Sequence, residues 1–192
     1  MIVRGTLLAS QTKNIEFSNY VHVIPSVHQA TSLGCAPAVS RFGGTKKNFS
    51  VLYAARNLAT ALAETVIRNR YEGLGDRRLF ATELADRSAV QLDTIKPLRL
   101  VDLRKGGCLK LGVSTDIAGA KCFDEAQQFA DHVYKDATID GIIYASRLTS
   151  ENCVVVFDRA ITSHLSESCI VPLIQIGQLG SALTKLNIKL VG

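Results

Sequence analysis

The sequence predicts a single α+β domain, residues 1–192, with a mixed central β-sheet and flanking helices. Short apolar or alternating runs of strand length outnumber the segments with helical periodicity. Strands 98–103 and 140–146 are separated by a helix, whereas other strands follow one another closely, which is typical of a mixed sheet. No connecting segment is long enough to be an interdomain linker.

The predicted strands are short apolar segments bounded by turn clusters such as RFGGTKKN and YEGLGD. They are YVHVIP (20–25), FSVLYAA (49–55), LFATELA (79–85), LRLVDL (98–103), DGIIYAS (140–146), NCVVVFD (152–158) and IVPLIQIGQL (170–179).

Helical spacing of apolar residues predicts two helices, Asn57–Arg70 and Phe123–Lys135, and a shorter one at Ile117–Ala120. The second helix carries Asp124 and Glu125 in its first turn, where the helix dipole favours carboxylates. We expect this helix to cover one face of the sheet.

The amino-acid composition indicates a soluble globular protein. With 47% hydrophobic and 20% charged residues, the chain has the profile of an ordinary soluble domain that buries a core. The apolar patch in the N-terminal MIVRGTLLASQTKNIEF is too short and too interrupted for a signal peptide, and no long apolar run follows. We therefore expect a cytoplasmic protein that does not associate with membranes.

The net charge of +5 is spread over small basic groups rather than a stripe with interleaved aromatic residues. Direct nucleic-acid binding is therefore not favoured, and an acidic protein partner or a phosphate-bearing ligand suits the charge equally well. The five cysteines are scattered, without a CxxC pair or a histidine at metal-ligand spacing. We expect reduced structural thiols and no metal site.

Glu64 is the acidic residue of the predicted helix 57–70. On a helical wheel it lies away from the apolar stripe, on the side of Asn57, Thr60 and Ala61. A solvated Glu64 paired with Arg68 would contribute only about 0.3–0.5 kcal/mol. The short side chains on this side are instead typical of a helix that lines a cleft. Periodicity leaves both interpretations open.

Arg41, Tyr53, Glu64 and Ser146 are the candidate catalytic residues. An arginine can fork onto a phosphate, a tyrosine can stack on a planar ring, and a carboxylate can hold ribose hydroxyls or stabilise an oxocarbenium ion. Ser146 ends a predicted buried strand, where ligands commonly bind. Together these residues suit a dinucleotide, although each alone has an ordinary structural interpretation. The GxGxxG, GxxxxGK[ST] and GxSxG motifs are absent.

The segments SRFGG, FSVLYAARNLATALAET, LRLVDLR and DGIIYASR…ENCVVVF, in this order, resemble the RES-domain family, named for an arginine, a glutamate and a serine. The similarity spans about residues 20–160. It implies a fold similar to ADP-ribosyltransferases. It also implies a toxin of a bacterial toxin–antitoxin pair that destroys cellular NAD by cleaving its nicotinamide–ribose bond, with phosphate or water as acceptor. NAD is then a substrate, and no cofactor is expected.

The resemblance also implies residue roles. Arg41 is expected to hold the NAD phosphates or ribose, and Tyr53 to pack near the nicotinamide ribose. Glu64 is expected to hold a ribose hydroxyl and to stabilise the cationic transition state. Ser146 would complete the pocket, and Asn152 would support substrate binding.

Two positions depart from the family pattern. His22 stands where family members commonly carry a second arginine, and Phe42 stands where a tryptophan often follows the motif arginine. We expect both to contact the substrate.

The expected partner is a helix-turn-helix antitoxin that blocks the cleft, and nucleic acid would be contacted only through it. The oligomeric state, monomer or homodimer, stays open. Two alternatives remain for the activity: a protein ADP-ribosyltransferase that uses NAD, and a non-enzymatic domain that binds a nucleotide or a protein. No motif assigns a role to residues 161–192.

Overall fold

The computed structural model describes residues 5–192, so Met1–Arg4, the start of the stretch tested above as a signal peptide, lie outside the described residues. The strands form an eight-stranded and a two-stranded sheet. The large sheet contains β1 (Thr12–Ile15), β2 (Tyr20–Pro25), β3 (Val51–Ala55), β5 (Arg87–Thr94), β6 (Leu98–Asp102), β7 (Gly141–Ala145), β8 (Asn152–Phe157) and β9 (Leu165–Pro172). The small sheet contains β4 (Arg78–Phe80) and β10 (Lys189–Val191).

Short helices flank the sheets. They are α1 (Gly5–Gln11), α2 (Leu58–Leu62), α3 (Gly107–Leu111), α4 (Asp116–Gly119), α5 (Asp124–Tyr134), α6 (Asp158–His164) and α7 (Leu179–Lys185). Within residues 5–192, no helix has the length and apolar character needed to cross a membrane. All five cysteines are free thiols.

The large sheet is mixed, with the strand order β1-β6-β7-β8-β3-β2-β5-β9. Strands β6 and β7 are parallel, and the other neighbours pair antiparallel. Because parallel strands need a crossover connection, the chain between β6 and β7 runs through α3, α4 and α5. The predicted α+β class with a mixed central sheet is confirmed.

Each face of the large sheet carries its own apolar cluster, because successive residues of a strand point to opposite faces. The front cluster includes Val155 of β8, Ile142 of β7 and Phe129 of α5. The rear cluster includes their strand neighbours Val154 and Ile143. The central strands β7 and β8 are therefore buried on both sides, which explains their continuous apolar runs.

Several predicted elements differ from the structure. The predicted strand 79–85 is wrong beyond Phe80, because the chain enters a 3-10 turn at Ala81–Glu83. Strand Arg87–Thr94 was not predicted, and polar residues at both ends of its sequence RSAVQLDT hide the alternation. The strand predicted at 170–179 agrees with β9 (Leu165–Pro172) only at 170–172; beyond Pro172 the prediction was wrong, because the chain forms a 3-10 turn at Leu173–Gln175 and enters α7 at Leu179.

The helix predicted over Asn57–Arg70 begins as expected. Asn57 caps it by accepting a hydrogen bond from the Thr60 amide at 2.9 Å. After Leu62 the helix widens into a π-helical turn, Ala63–Ile67, and it ends at Arg68, short of the predicted end. π-Helical turns occur frequently at functional sites, and this one carries Glu64.

Candidate active site

A cavity of about 270 Å3 lies on the front face of the sheet, between β2, β3 and β8 and the helical segment 58–67. Small-molecule sites usually enclose roughly 300–1,000 Å3, so the cavity has the size of one part of a dinucleotide. The side chains that line the cavity include the polar or charged residues His22, Arg41, Tyr53, Glu64, Arg68 and Arg147.

Glu64 and Ser146 meet at the cavity wall. The Ser146 hydroxyl donates to Glu64 Oε1 at 2.5 Å. The amides of Leu148 and Thr149 donate to the same hydroxyl oxygen at 3.1 and 3.3 Å. Because the backbone occupies the oxygen as an acceptor, its one proton points to the carboxylate. Ser146, which is buried, therefore fixes the orientation of the Glu64 side chain.

The surface ion pair considered for Glu64 and Arg68 does not form. Arg68 Nε donates instead to the backbone oxygen of Glu64 at 3.0 Å. Among the residues that the structure describes, the Glu64 carboxylate takes part in no salt bridge. A half-buried carboxylate thus lies in the cavity wall without a salt bridge to any residue of 5–192.

The neighbouring helix positions support the cleft-lining interpretation of this side of the helix. Thr60 and Ala61 were placed off the core, yet both are buried, at 0% and 3% exposure. The loop after β7 covers them, with the hydroxyls of Thr60 and Thr149 3.0 Å apart. Glu64 therefore lies in the wall of an enclosed site rather than on an open helix surface.

Tyr53 holds the loop that carries Arg41. Its hydroxyl accepts a hydrogen bond from the Phe42 amide at 2.8 Å and donates to Ser40 Oγ at 3.1 Å. Gln127 Nε2 of α5 donates to the Ser40 carbonyl at 3.0 Å. Burial raises the pKa of Tyr53, so the phenol stays protonated at neutral pH and keeps this donor.

Arg41 lies beside helix α5. Its Nη1 donates to the Ala120 carbonyl at 2.7 Å, and its guanidinium carbon lies 5.1 Å from the centre of the Phe123 ring. This contact places the cation over an aromatic face. The remaining guanidinium donors are available to a ligand, because Arg41 forms no ion pair with any residue of 5–192.

Phe42 and Asn152 were expected to contact substrate, and neither lines the cavity. Phe42 is fully buried, with its ring centre 5.2 Å from that of Tyr144. Asn152 precedes Cys153 on β8, and since Cys153 faces the cavity, strand alternation turns Asn152 to the rear face. There its side chain hydrogen-bonds Tyr20.

His22 and Cys153 line the cavity in uncharged form. Burial lowers the pKa of His22 to about 4, although a hydrogen bond with the Tyr53 backbone opposes the shift. A neutral imidazole cannot replace the cation of a second arginine. Burial and then the nearby Glu64 raise the pKa of Cys153 to about 12, so it is no thiolate nucleophile at neutral pH.

The structure places Arg41, Tyr53 and Glu64 in one cavity with Ser146 against Glu64. It adds wall residues that sequence reasoning missed, among them Arg68, Lys121 and Arg147. The basic groups RNR at 68–70 and SR at 146–147 were the available signals. Neither group indicates by itself which way an arginine points.

Comparison with known proteins gives three findings. The RES domain matches residues 18–174. The probable toxin y4kH of Sinorhizobium fredii is 38% identical over 80 residues, which are 41% of this chain. A chain in the crystal structure of the M. tuberculosis MbcT–MbcA toxin–antitoxin complex has a TM-score of 0.63, with 86% of this chain and 89% of that chain covered.

The two similar proteins differ in how much of their length is matched and in sequence identity. The matched part spans 63% of the length of the y4kH relative. The structural likeness has only 14% sequence identity, so it concerns the fold.

Proposed function

The chain belongs to the RES domain family, and from this premise we propose that it is the toxin of a toxin–antitoxin pair and depletes NAD by cleaving the nicotinamide–ribose bond. The similarity to a probable toxin and to a chain of a toxin–antitoxin complex supports the toxin part. The chemistry of the cavity supports the NAD part.

The observation that carries the proposal is the state of Glu64. It is a half-buried carboxylate, oriented by the Ser146 hydroxyl at 2.5 Å, and it forms no ion pair within residues 5–192. Its charge is therefore available to stabilise positive charge that develops on a substrate. Preorganised electrostatic stabilisation of this kind is usually the largest catalytic term.

Cleavage of NAD develops such a charge. When the bond between C1′ of the ribose and the pyridinium nitrogen breaks, both electrons stay on nitrogen and nicotinamide leaves as a neutral molecule. The positive charge moves to the ribose as an oxocarbenium ion, next to which we place Glu64. An acceptor oxygen then bonds to C1′; water releases a proton in this step, and hydrogen phosphate yields a sugar phosphate. The leaving group needs no proton, so a general acid is not required.

The other wall residues fit a dinucleotide. Arg41 supplies free guanidinium donors for phosphate oxygens, which arginine binds in a forked geometry. Tyr53 keeps the Arg41 loop in place and offers its ring to the cavity. The cavity is smaller than NAD as a whole, so the nicotinamide–ribose part would occupy it and the adenosine part would extend outside.

We also propose that an antitoxin inhibits the protein by covering this cavity. The solved complex of a protein with the same fold contains a toxin and an antitoxin. The resemblance stated above adds that the antitoxin has a helix-turn-helix domain. Mixing the purified partner with the toxin should then suppress NAD loss in proportion to complex formation.

The decisive experiment follows free nicotinamide after NAD is added to the purified protein. We expect the wild type and the surface control Glu125→Gln to release nicotinamide. We expect Glu64→Gln to release none. A folded wild-type sample that releases no nicotinamide would refute the enzyme and leave a non-enzymatic binding domain.

The acceptor is identified by following the ribose side of labelled NAD. A sugar phosphate that forms only with added phosphate indicates phosphorolysis, and ADP-ribose that forms without it indicates hydrolysis. Label on proteins of an added cell lysate would instead support a protein ADP-ribosyltransferase.

A further inference from the structure

The exposed rim of the cavity carries cations that the proposed chemistry has not used. Arg68, Lys121 and Arg147 all line the cavity, and all three are exposed. Arg147 Nη2 donates to the side-chain oxygen of Asn69, the residue that follows Arg68. This contact holds the Arg147 guanidinium beside Asn69, in the wall of the cavity that Arg68 also lines.

The backbone at Arg68 is unusual. Its φ of +45° and ψ of −118° lie in a region that residues with a Cβ rarely adopt. Its amide donates to the Ala63 carbonyl at 2.7 Å, so this conformation ends the π-helical turn. Rare backbone conformations at non-glycine residues cluster at ligand sites, where the side chain is needed in one direction.

The donors of the two arginines are only partly used. Arg68 Nε bonds the Glu64 carbonyl at 3.0 Å, which leaves both terminal nitrogens of its guanidinium. Across the described residues 5–192, neither Arg68 nor Arg147 forms an ion pair.

The acidic groups nearby do not cancel this charge. Glu72 lies within electrostatic range of Arg147, but its carboxylate is paired with Lys121 at 2.7 Å. Glu64 is turned toward Ser146. Burial raises the pKa of Tyr53, and the positive charges of Arg41 and Arg68, which line the same cavity, oppose that shift.

We propose that Arg68 and Arg147 form a phosphate subsite at the cavity rim, additional to Arg41. The ligand chemistry is that of phosphoryl oxygens, which two oriented guanidinium groups bind through charge-assisted hydrogen bonds. The oxygens come either from the diphosphate of a dinucleotide substrate or from free phosphate that acts as acceptor. The choice of these two sources rests on the proposed function; the binding site itself does not.

The test measures binding by calorimetry, with ADP-ribose in one arm and inorganic phosphate in the other. Because turnover is not needed, failure of NAD cleavage and failure of the subsite give different results. The variants are Arg68→Gly, which suits the positive φ, and Arg147→Gln. Arg99→Gln removes an exposed positive charge on β6, outside the cavity, and serves as the control.

Each subsite variant is expected to weaken binding in at least one arm by about 10- to 100-fold, the usual effect of losing a hydrogen bond to a charged group. Weakening for ADP-ribose alone identifies the substrate diphosphate, and weakening for inorganic phosphate identifies the acceptor. Arg68→Gly should keep or raise the melting temperature, because glycine relieves the backbone strain. Unchanged affinity in both arms for both variants, or an equal loss in Arg99→Gln, would overturn the proposal.

Discussion

Two carboxylates of the molecule, Asp102 and Glu64, show opposite ways to place a negative charge inside a protein. Asp102 ends β6 with 4% exposure and receives the Arg104 guanidinium at 2.9 and 3.0 Å. The Arg104 amide and Lys13 Nζ add contacts at 3.0 and 3.4 Å. Glu64 receives the hydroxyl of Ser146 and no cation within residues 5–192.

The two carboxylates differ in whether their charge is neutralised within the fold. Burial alone would raise the pKa of Asp102, but the hydrogen bonds and charge of Arg104, together with Lys13, outweigh it and lower the pKa. The negative charge of Asp102 is thus fully used within the fold. The Glu64 carboxylate accepts one hydrogen bond from Ser146 and pairs with no cation of residues 5–192, so its charge remains available to a cationic ligand or transition state.

Arginines divide in the same way. Arg159 donates to the carbonyls of Tyr134, Asp136 and Ile139, and its guanidinium lies 4.4 Å from the centre of the Tyr134 ring. Its terminal nitrogens are occupied by carbonyls at the end of α5 and in the turn that follows, whereas no hydrogen bond is made by those of Arg68 within residues 5–192. Arg68 thus combines unused terminal donors with a position in the cavity wall, whereas Arg159 does not line the cavity.

The largest expected effect is that of Glu64→Gln on activity. The variant keeps the size and hydrogen-bonding capacity of the side chain and removes the charge, so kcat should fall by about 10³-fold or more, roughly 4 kcal/mol. The free energy of unfolding should change little, because no ion pair is lost. Parallel NAD kinetics and urea unfolding check both parts. A variant that loses stability and keeps activity would assign Glu64 to the fold.

Asp102→Asn should do the reverse. Removing the charge leaves Arg104 without its partner at a largely buried position, and breaking such a pair costs about 3 kcal/mol. Activity per folded molecule should stay unchanged, because Asp102 does not line the cavity. Urea unfolding and active-fraction measurements check this. A folded but inactive Asp102→Asn variant would contradict the assignment of Asp102 to stability alone.

Sequence predicted the parts of the fold whose pattern is local. Strands β7 and β8 are continuous apolar runs because both faces are buried, and the spacing of Phe123–Lys135 matches α5 closely. Strand β5 was missed because polar residues at its ends interrupt the apolar pattern. Its assignment depends on pairing with β2 and β9, which are distant in sequence.

The candidate site divides similarly. Arg41, Tyr53, Glu64 and Ser146 were predicted from their order in the sequence, and the fold brings them together. Asn152 was expected to support substrate binding, but strand alternation from the cavity-facing Cys153 turns its side chain to the rear face. The direction of the Arg68 side chain could not be predicted from the sequence, because it depends on a positive φ that no local sequence pattern indicates.

Ser146→Ala tests whether the orientation of Glu64 matters. Loss of a hydrogen bond to a charged group costs about 1.5–3 kcal/mol, so kcat should fall roughly 10- to 100-fold with KM close to the wild-type value. The matched control is Ser181→Ala on α7, whose hydroxyl bonds the Gln178 carbonyl at 2.9 Å. Steady-state NAD kinetics separate kcat from KM. An equal kcat in wild type and Ser146→Ala would mean that the Glu64 carboxylate is held by its packing alone.

The smallest expected effect concerns His22, a cavity-wall group that is neutral where Glu64 is charged. Its folded pKa of about 4 lies below the usual 6.5, so the unfolded chain binds more protons between these values. Stability should be unaffected above pH 6.5 and should fall as the pH drops through this window toward 4, by about 1–2 kcal/mol after allowance for partial exposure. His22→Gln should lack this component. Urea unfolding of both proteins at pH 7 and 4.5 measures it, and identical pH dependence in the two would show that His22 titrates as if it were exposed.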